Sequence, residues 1–187
     1  LNTGLAHATA PLIARMDADD IAHPDRLWQQ MAYMGSHPGI GVLGTRTRFV
    51  SNMAQSAGMR AFVDWQNAIL SPHDHFVKRF VDAPLAHPTV MFRRELVGLH
   101  GGYDTGPLPE DHELWLRWMD AGVQFAKLPE ELLTWHDHPA RLSRCHPNYS
   151  PVAFDRIKGK WLARWLNREL KGRPLIVAGT SGLCRER

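Results

Sequence analysis

The sequence predicts an α/β fold in which a sheet of strands is flanked by helices. Its 187 residues are 44% hydrophobic, 22% charged and 9% aromatic, the composition of one folded domain with a single core. Short apolar runs typical of strands alternate with segments of helical spacing. No motif repeats at a fixed period, so layers of helices packed on a sheet are the simplest architecture.

The first half opens with a predicted strand that ends in acidic residues. Pro11–Met16 is a mostly apolar run that stops at Asp17-Ala18-Asp19-Asp20. A helix is predicted over residues 24–34, since Pro24 suits a first helical position and Gly35 a stop. The apolar residues at helical spacing within it are Leu27, Trp28, Met31 and Met34. Residues 40–43 and 47–50 are expected to form two strands.

The second half repeats this alternation. Ser71-Pro72 has the form of a helix start, followed by an apolar face of Phe76, Val77 and Phe80. Residues 89–92 are a strand candidate. Pro109 opens a helix that ends before Gly122 and has a buried stripe of Leu114, Trp115, Trp118 and Met119. Residues 123–128 and 131–135 are predicted to return as strands.

Charge is distributed unevenly along the chain. Residues 1–138 hold 11 basic and 16 acidic side chains, a balance of −5, whereas residues 139–187 hold 11 and 3, a balance of +8. Within this basic tail, residues 152–171 predict an amphipathic helix with Ile157, Trp161, Trp165 and Leu166 on one face. Such a helix packs on its own domain or lies on an anionic membrane surface. Without zinc-finger spacing or an aromatic RNA-binding signature, no nucleic-acid partner is expected.

Composition also limits the compartment. No apolar stretch approaches the roughly 20 residues of a membrane span. Cys145 and Cys184 are the only cysteines, too few for a disulfide framework, so a reducing, cytoplasmic location is expected. The chain opens with neither Met nor a signal peptide, which we interpret as a fragment.

The acidic residues after the first strand are the leading candidates for chemistry. Asp17, Asp19 and Asp20 follow a probable sheet edge, where open α/β sheets place ligands. Their mutual repulsion favours a neutralising cation, and carboxylate oxygens suit Mg²⁺ or Mn²⁺. The alternative is a solvated loop in which Asp20 or Asp25 caps the next helix.

Two later segments carry further candidates. Asp111, with Glu110 and Glu113, stands at a helix start, where an acid serves either as a cap or as a catalytic group. His138 follows the last predicted strand in the segment His136-Asp137-His138 and offers an imidazole ligand. Arg141 and Arg144 come next and could hold a phosphate.

Four segments, in order, resemble family 2 glycosyltransferases with a GT-A fold. They are Leu1-Asn2-Thr3-Gly4-Leu5-Ala6, Ile13–Asp20 with Pro24-Asp25-Arg26-Leu27 and Gln30, His87–Arg94 with Gly101-Gly102-Tyr103-Asp104, and Pro109–Arg117. The resemblance covers residues 1 to about 144 and implies a partial, Rossmann-like GT-A mixed sheet. It divides the chain into a catalytic portion (1–144), a basic helical tail (145–172) and a truncated start of an appended Rossmann-like domain (173–187).

The resemblance also implies roles for individual residues. Asp17 and Asp19 match the DxD element, which binds the sugar nucleotide, with Asp19 on the divalent cation. Asp111 matches the catalytic base of the ED motif, in which Glu110 precedes it. His138 matches a histidine near the diphosphate and metal, and Arg141, Asp20 and His87 accompany the site. The implied reaction is inverting transfer from a nucleotide-diphosphate sugar to a glycan or lipid-linked hydroxyl.

Three departures and two alternatives accompany this interpretation. The family's first nucleotide-binding segment is absent, His136 stands where similar sequences commonly have Arg, and Gly179 and Gly182 alone do not make a dinucleotide site. A truncated, non-catalytic or acceptor-binding remnant is therefore one alternative. An Asp-nucleophile phosphohydrolase using Asp17 is the other, although it needs a suitably placed lysine.

Overall fold

The structure, a computed structural model, describes residues 1–175. Its α-helices are α1 (Asn2–His7), α2 (Arg26–Ser36), α3 (Ala57–Asn67), α4 (Pro72–Lys78), α5 (Glu95–His100), α6 (Glu110–Asp120), α7 (Leu142–Cys145) and α8 (Pro151–Leu170). Its strands are β1 (Leu12–Ala14), β2 (Ile21–Ala22), β3 (Ile40–Ser51), β4 (Met91–Arg93) and β5 (Gln124–Asp137).

The strands form one mixed sheet in the order β1-β4-β3-β5-β2. β3 and β5 are parallel and pair along almost their whole length, from Ile40 opposite Gln124 to Ser51 opposite Asp137. β1 and β2 lie at opposite edges, and every pairing other than β3 with β5 is antiparallel. The predicted mixed α/β sheet flanked by helices is thus confirmed.

The two long strands correct two predictions. Residues 40–43 and 47–50 belong to one strand, and the segments predicted over 123–128 and 131–135 likewise form one strand, which begins at Gln124. Each junction coincides with an irregularity in the pairing, where Thr45 lies opposite Leu128 but Arg46 lies opposite Glu131. Pro129 falls in that bulge, the position where a strand tolerates a residue without an N–H group. A break in the sequence pattern therefore marks a bulge and not a strand end.

Other boundaries also differ from the predictions. The strand expected over residues 89–92 begins at Met91, because His87–Thr89 forms a 3₁₀ turn. The sequence did not predict α1, α3 or α5. Two of these helices have only six residues, too few to show a clear period of 3.6.

The Trp-rich helix is the centre of the core and matches its prediction. Trp115 and Trp118 of α6 are fully buried, and their rings contact each other edge to face. They pack against Phe92 of β4 and Phe125 of β5. This packing fixes α6 on the sheet, so the first turn of α6 is held at a defined position relative to the strand ends.

By contrast, α2 does not bury the apolar residues that identify it in the sequence. Of its four spaced apolar residues only Met34 is buried, and Trp28 is 72% exposed. The face against the sheet instead carries Arg26 and Gln30, at 2% and 0% exposure. The Gln30 side-chain amide donates to the carbonyls of Leu43 and Thr89, each at 2.9 Å. Buried polar groups of this kind are stable because their hydrogen bonds are made.

A second polar face is buried in α4. Ser71 caps this helix as predicted, since its hydroxyl accepts from the Asp74 amide in a capping box. Phe76 and Val77, however, are 42% and 56% exposed, while His75 is fully buried. Of the predicted apolar face, Phe76 and Val77 therefore do not pack inward, whereas Phe80, just past the end of α4, does.

The basic tail helix packs on the protein itself. Ile157 and Trp161 of α8 are buried against Leu116 of α6, with Phe80 and Leu108 at the edge of this cluster. Arg164 and Arg168 both pair with Asp120 at the end of α6. Through residue 175, no helix has both the length and the apolar character that crossing a bilayer requires. The segment predicted to begin an appended domain lies outside the described residues from position 176 onward.

Candidate active site

Three carboxylates converge in the loop after β1. One oxygen from each of Asp17, Asp19 and Asp20 lies within 4.8 Å of the others. Asp20 points inward, and its Oδ1 accepts from the His136 amide at 3.0 Å. Desolvation raises the pKa of Asp20, and the hydrogen bonds that it accepts oppose this rise only in part. Asp20 therefore anchors the loop to the end of β5.

Arg141 supplies positive charge to the whole cluster. Its guanidinium lies 3.0 Å from Asp20, 3.5 Å from Asp17 and 3.7 Å from Asp19. Its side chain is only 8% exposed, and the guanidinium stacks 4.8 Å from the centre of the Trp135 ring. The crowding of the three acids, which the sequence suggested a cation must relieve, is thus relieved in large part by a protein side chain.

Asp19 and His138 form the solvent-accessible side of the cluster. His138 Nε2 lies 2.9 Å from Asp19 Oδ2, and the two side chains are 41% and 39% exposed. Burial acts to raise the pKa of Asp19, but the His138 hydrogen bond and the Arg141 charge outweigh it, so the pKa is lowered. The Asp19 carboxylate is a hard oxygen ligand of the kind that suits Mg²⁺ or Mn²⁺, and the His138 imidazole beside it is a second potential ligand, of a type that softer divalent ions favour.

The α2 helix holds the start of the acidic loop in place. Arg15 contacts Asp17 at 2.5 Å, and its backbone carbonyl accepts from the Arg26 guanidinium at 2.7 Å. Burial, followed by the charge of Arg15, lowers the pKa of Arg26 to about 10. The polar face of α2 therefore has a purpose in the site, because it positions the backbone from which the acidic loop departs.

Glu110 and Asp111 occupy the first turn of α6. The N-cap position is Pro109, which makes no side-chain cap, and Asp111 Oδ1 accepts from the His112 amide at 2.7 Å. Desolvation, reinforced by the charge of Glu110, raises the pKa of Asp111 to about 7. A carboxyl with this pKa can accept a proton near neutral pH, as a general base requires.

His87 and Tyr103 form a buried pair behind this turn. His87 Nε2 lies 2.8 Å from the Tyr103 hydroxyl, and the His87 ring meets Trp115 edge to face. Desolvation lowers the pKa of His87 well below its ordinary value, so the ring is neutral. Asn2 binds both the amide and the carbonyl of Tyr103, which fastens the first helix to the site.

The acidic cluster and the first turn of α6 face one cleft with a volume of about 540 Å³. The predicted site residues that line it are Asp17, Asp19, His87, Glu110, Asp111, His138 and Arg141. Asp20 is also predicted but lies beneath the surface as a buried anchor. Asp19 and Asp111, separated by more than 90 positions in the sequence, thus share a single space of the size that ligands occupy.

Other predicted or alternative residues are engaged elsewhere. Arg144 makes two hydrogen bonds of 2.6 Å with Asp137, so its guanidinium is not free for a phosphate. His136 contributes its backbone, donating to Asp20 and accepting from Arg141. Lys127 is buried and donates to the carbonyls of Gln66 and Pro84, so it does not serve as the lysine that the phosphohydrolase alternative needs.

Arg15 and Tyr149 also line the cleft, although neither was predicted from the sequence as a site residue. Arg15 stands within the segment Ile13–Asp20, and its position two residues before Asp17 was the available signal. Tyr149 lies in the basic tail, where nothing in the sequence indicated a contact with Glu110. Only the path of the chain after β5 brings Tyr149 to α6.

Solved structures of glycosyltransferases share this fold. Residues 1–349 of TarS from S. aureus, solved with UDP-GlcNAc, superpose with a TM-score of 0.61 at 15% identity, covering 91% of this chain and 52% of that one. The mannosyltransferase PcManGT from Pyrobaculum calidifontis, solved with GDP-Man and Mn²⁺, gives a TM-score of 0.54 at 17% identity over 94% and 55% of the two chains. At these identities the likeness shows a shared fold.

The family follows from the sequence comparison. The model of Glycosyl transferase family 2 matches residues 1–99, and the chain belongs to that family. The amylovoran biosynthesis glycosyltransferase AmsE of Erwinia amylovora is 34% identical over 133 residues, which cover 71% of this chain and 47% of AmsE. The chain therefore spans about half the length of the relatives that it matches.

Proposed function

We propose that this chain is the part of an inverting glycosyltransferase that carries the metal-binding residues and the general base, and that the enzyme uses a nucleotide-diphosphate sugar. The observation that supports the proposal is the shared cleft, in which the Asp19–His138 pair faces the same space as Asp111. Glycosyl transfer needs one group to hold the diphosphate and another to accept the proton of the acceptor hydroxyl. The cleft offers a group for each task.

Asp19 and His138 would hold the divalent cation, Mg²⁺ or Mn²⁺. When bound, such an ion acts as a Lewis acid toward the charge that develops on the leaving diphosphate. Asp17, paired with Arg15 and Arg141, would bind the nucleotide part of the donor, and Arg141 would add positive charge near the phosphates. Asp20 keeps Arg141 in place.

Asp111 would act as the general base. In the proposed step its carboxylate takes the proton of an acceptor hydroxyl while that oxygen bonds to the anomeric carbon of the sugar. The bond from that carbon to the diphosphate oxygen breaks, and its electron pair leaves with the nucleoside diphosphate. A single displacement from the side opposite the leaving group inverts the configuration at the anomeric carbon.

We infer the substrate class from the same site and from the relatives. TarS and PcManGT were solved with UDP-GlcNAc and GDP-Man, which supports a nucleotide sugar as donor for this chain. The names of relatives that take part in amylovoran and O-antigen biosynthesis support a glycan acceptor, and the name of an Escherichia coli galactosyltransferase that acts on GlcNAc-diphosphoundecaprenol supports a lipid-linked one. We place the protein in the cytoplasm and expect no nucleic-acid partner. Peripheral contact with the inner membrane face through residues 152–171 stays a prediction, and the packed stripe of α8 lends it no support.

The test of this proposal is a transfer assay. The protein, expressed from its complete coding sequence, is incubated with Mn²⁺, a panel of nucleotide sugars and membrane-extracted acceptors. We expect Asp111→Asn to reduce kcat by at least a hundredfold, because removal of a general base costs ~10²–10⁴-fold. Asp25→Asn is the matched control, since Asp25 precedes α2 without capping it through its side chain. Full activity of Asp111→Asn would eliminate the proposed base.

A remnant that retains the fold but does not bind donor is the competing function. The partial coverage of the relatives favours it for these 187 residues taken alone. Calorimetry with UDP or GDP and Mn²⁺ separates the two, because only the transferase half is expected to bind the nucleotide. His138→Ala should weaken any heat of binding that depends on Mn²⁺, since ligand loss weakens metal binding.

A further inference from the structure

The segment that follows β5 connects the two halves of the cleft. At its beginning Arg141 binds Asp20 and lies close to Asp17 and Asp19. Eight positions later the Tyr149 hydroxyl donates to both carboxylate oxygens of Glu110, at 2.8 and 2.7 Å. We call residues 141–149 the strap. The strap therefore binds the acidic loop at one end and the first turn of α6 at the other.

The Tyr149 end of the strap is built to hold a carboxylate. The Tyr149 ring packs against the rings of His146 and Phe154, and its centroid lies 6.5 Å from the centroid of each. Desolvation, followed by the hydrogen bond to Glu110, raises the pKa of the Tyr149 hydroxyl, so it stays protonated and can only donate to the carboxylate. A hydroxyl that reaches both oxygens restricts rotation of the Glu110 side chain.

Glu110 is the acidic neighbour of the proposed base. Asp111 is the next residue, both side chains are partly buried, and both line the cleft. The charged groups that act on Asp111 are Glu110 on α6 and Arg15 after β1. The neutral phenols of Tyr103 and Tyr149 are the other titratable groups on which the charge of Asp111 acts. The position of Glu110 thus decides how strongly Asp111 is repelled.

We propose that Tyr149 is a positioning residue of this enzyme: its hydroxyl holds the Glu110 carboxylate beside Asp111 and thereby keeps Asp111 receptive to a proton. This inference rests on the proposed function, because it concerns the base of that reaction. Without the hydroxyl, Glu110 is free to turn toward solvent. Its repulsion of the Asp111 carboxylate then falls, and Asp111 ionises at lower pH and becomes a weaker base.

The direct test is a titration of Asp111 in this chain by ¹³C NMR of the carboxyl carbons. The Asp111 signal is identified by its absence in Asp111→Asn. Tyr149→Phe keeps the ring and removes the hydroxyl, and we expect it to lower the Asp111 midpoint by ~1 pH unit. Glu110→Gln should lower the midpoint by a similar amount, and adding Tyr149→Phe to Glu110→Gln should change it no further. Tyr33→Phe is the matched control, because the Tyr33 ring lies in α2 and stacks on His37 just past the end of that helix, and it should leave the midpoint unchanged.

Other results would overturn the inference. An unchanged Asp111 midpoint in folded Tyr149→Phe would show that the hydroxyl does not act on the base. An equal fall in the Glu110→Gln background would show that Tyr149 acts by some other route. These outcomes are independent of transferase activity, so they are distinct from failure of the proposed function, which the Asp111→Asn assay reports. In the active protein, Tyr149→Phe should reduce kcat more than it changes KM and should move the acidic limb of the pH–rate profile to lower pH.

Discussion

The raised pKa of Asp111 predicts that the proposed base destabilises the fold in which it acts. The perturbation is Asp111→Asn, which keeps the size of the side chain and an oxygen able to accept from the His112 amide. Asparagine cannot ionise, so it removes the cost of a carboxylate that is desolvated and lies next to Glu110. We expect the variant to unfold at higher denaturant concentration than the wild type at pH 8, although the same change is expected to reduce its transferase activity.

The magnitude follows from the shift. The pKa of Asp111 is raised from 3.8 to about 7, and a shift of ~3 units corresponds to at most ~4 kcal/mol. Asp111 is only partly buried, and solvent screening reduces the expected gain to ~2 kcal/mol. The folded state binds the proton more tightly than the unfolded state. As the pH rises from about 4 to about 7, ionisation of Asp111 therefore progressively lowers the stability of the wild type, whereas the variant is not destabilised in this way.

The assay is urea unfolding followed by tryptophan fluorescence at several pH values between 4.5 and 8. Trp115 and Trp118 lie on the same helix as Asp111 and are fully buried, so their emission reports unfolding of this region. Burial also lowers the pKa values of His75 and His112 to about 4, which makes stability rise over part of the same range. The difference between variant and wild type cancels that contribution.

Either of two results would contradict the raised pKa of Asp111. If the variant were less stable than the wild type at pH 8, or if the difference did not grow between pH 4.5 and 8, Asp111 would not have the raised pKa. Asp25→Asn at an exposed position should show no such growth. A positive result would identify Asp111 as a group whose position is unfavourable for stability, which is common for residues under functional constraint.

Three further predictions test the surrounding structure. Gln30→Ala should cost ~2–3 kcal/mol in urea unfolding, since it leaves the buried carbonyls of Leu43 and Thr89 without their donor. Arg141→Met should cost ~3 kcal/mol of stability and lower the thermal midpoint, because it leaves buried Asp20 without its cationic partner. Mn²⁺ should raise the midpoint more in this variant than in the wild type, and equal effects of Mn²⁺ would argue against a cation site. Trp161→Ala should cost ~3 kcal/mol by opening the contact between α8 and α6; unchanged stability with lost vesicle binding would instead favour a membrane role for the helix.

Much of the fold could be predicted where local sequence and tertiary packing agree. In α6 the apolar residues at helical spacing are also the buried ones, so helix, stripe and end were all predicted. Ser71-Pro72 likewise sets a helix start through a local hydrogen bond. Agreement failed in α2, where Leu27 and Trp28 are exposed and buried Arg26 contacts the backbone of Arg15. A polar side chain can be buried when backbone carbonyls of other elements accept its hydrogen bonds, and the sequence of the helix does not show where those carbonyls lie.

The candidate site residues could be predicted from the sequence. The acidic residues after β1 and at the start of α6 are potential metal ligands and proton acceptors, and they stand in segments that resemble a family pattern. The order of segments was enough to predict Asp19 and Asp111 as partners in one reaction, and their roles stay predictions. The tertiary structure alone decided how their charges are balanced. Arg141 lies about 120 positions from the carboxylates that it neutralises, and Tyr149 lies 39 positions from Glu110. Electrostatic interactions depend on distance through space, and that distance is set only when β5 and the strap have folded around the cleft.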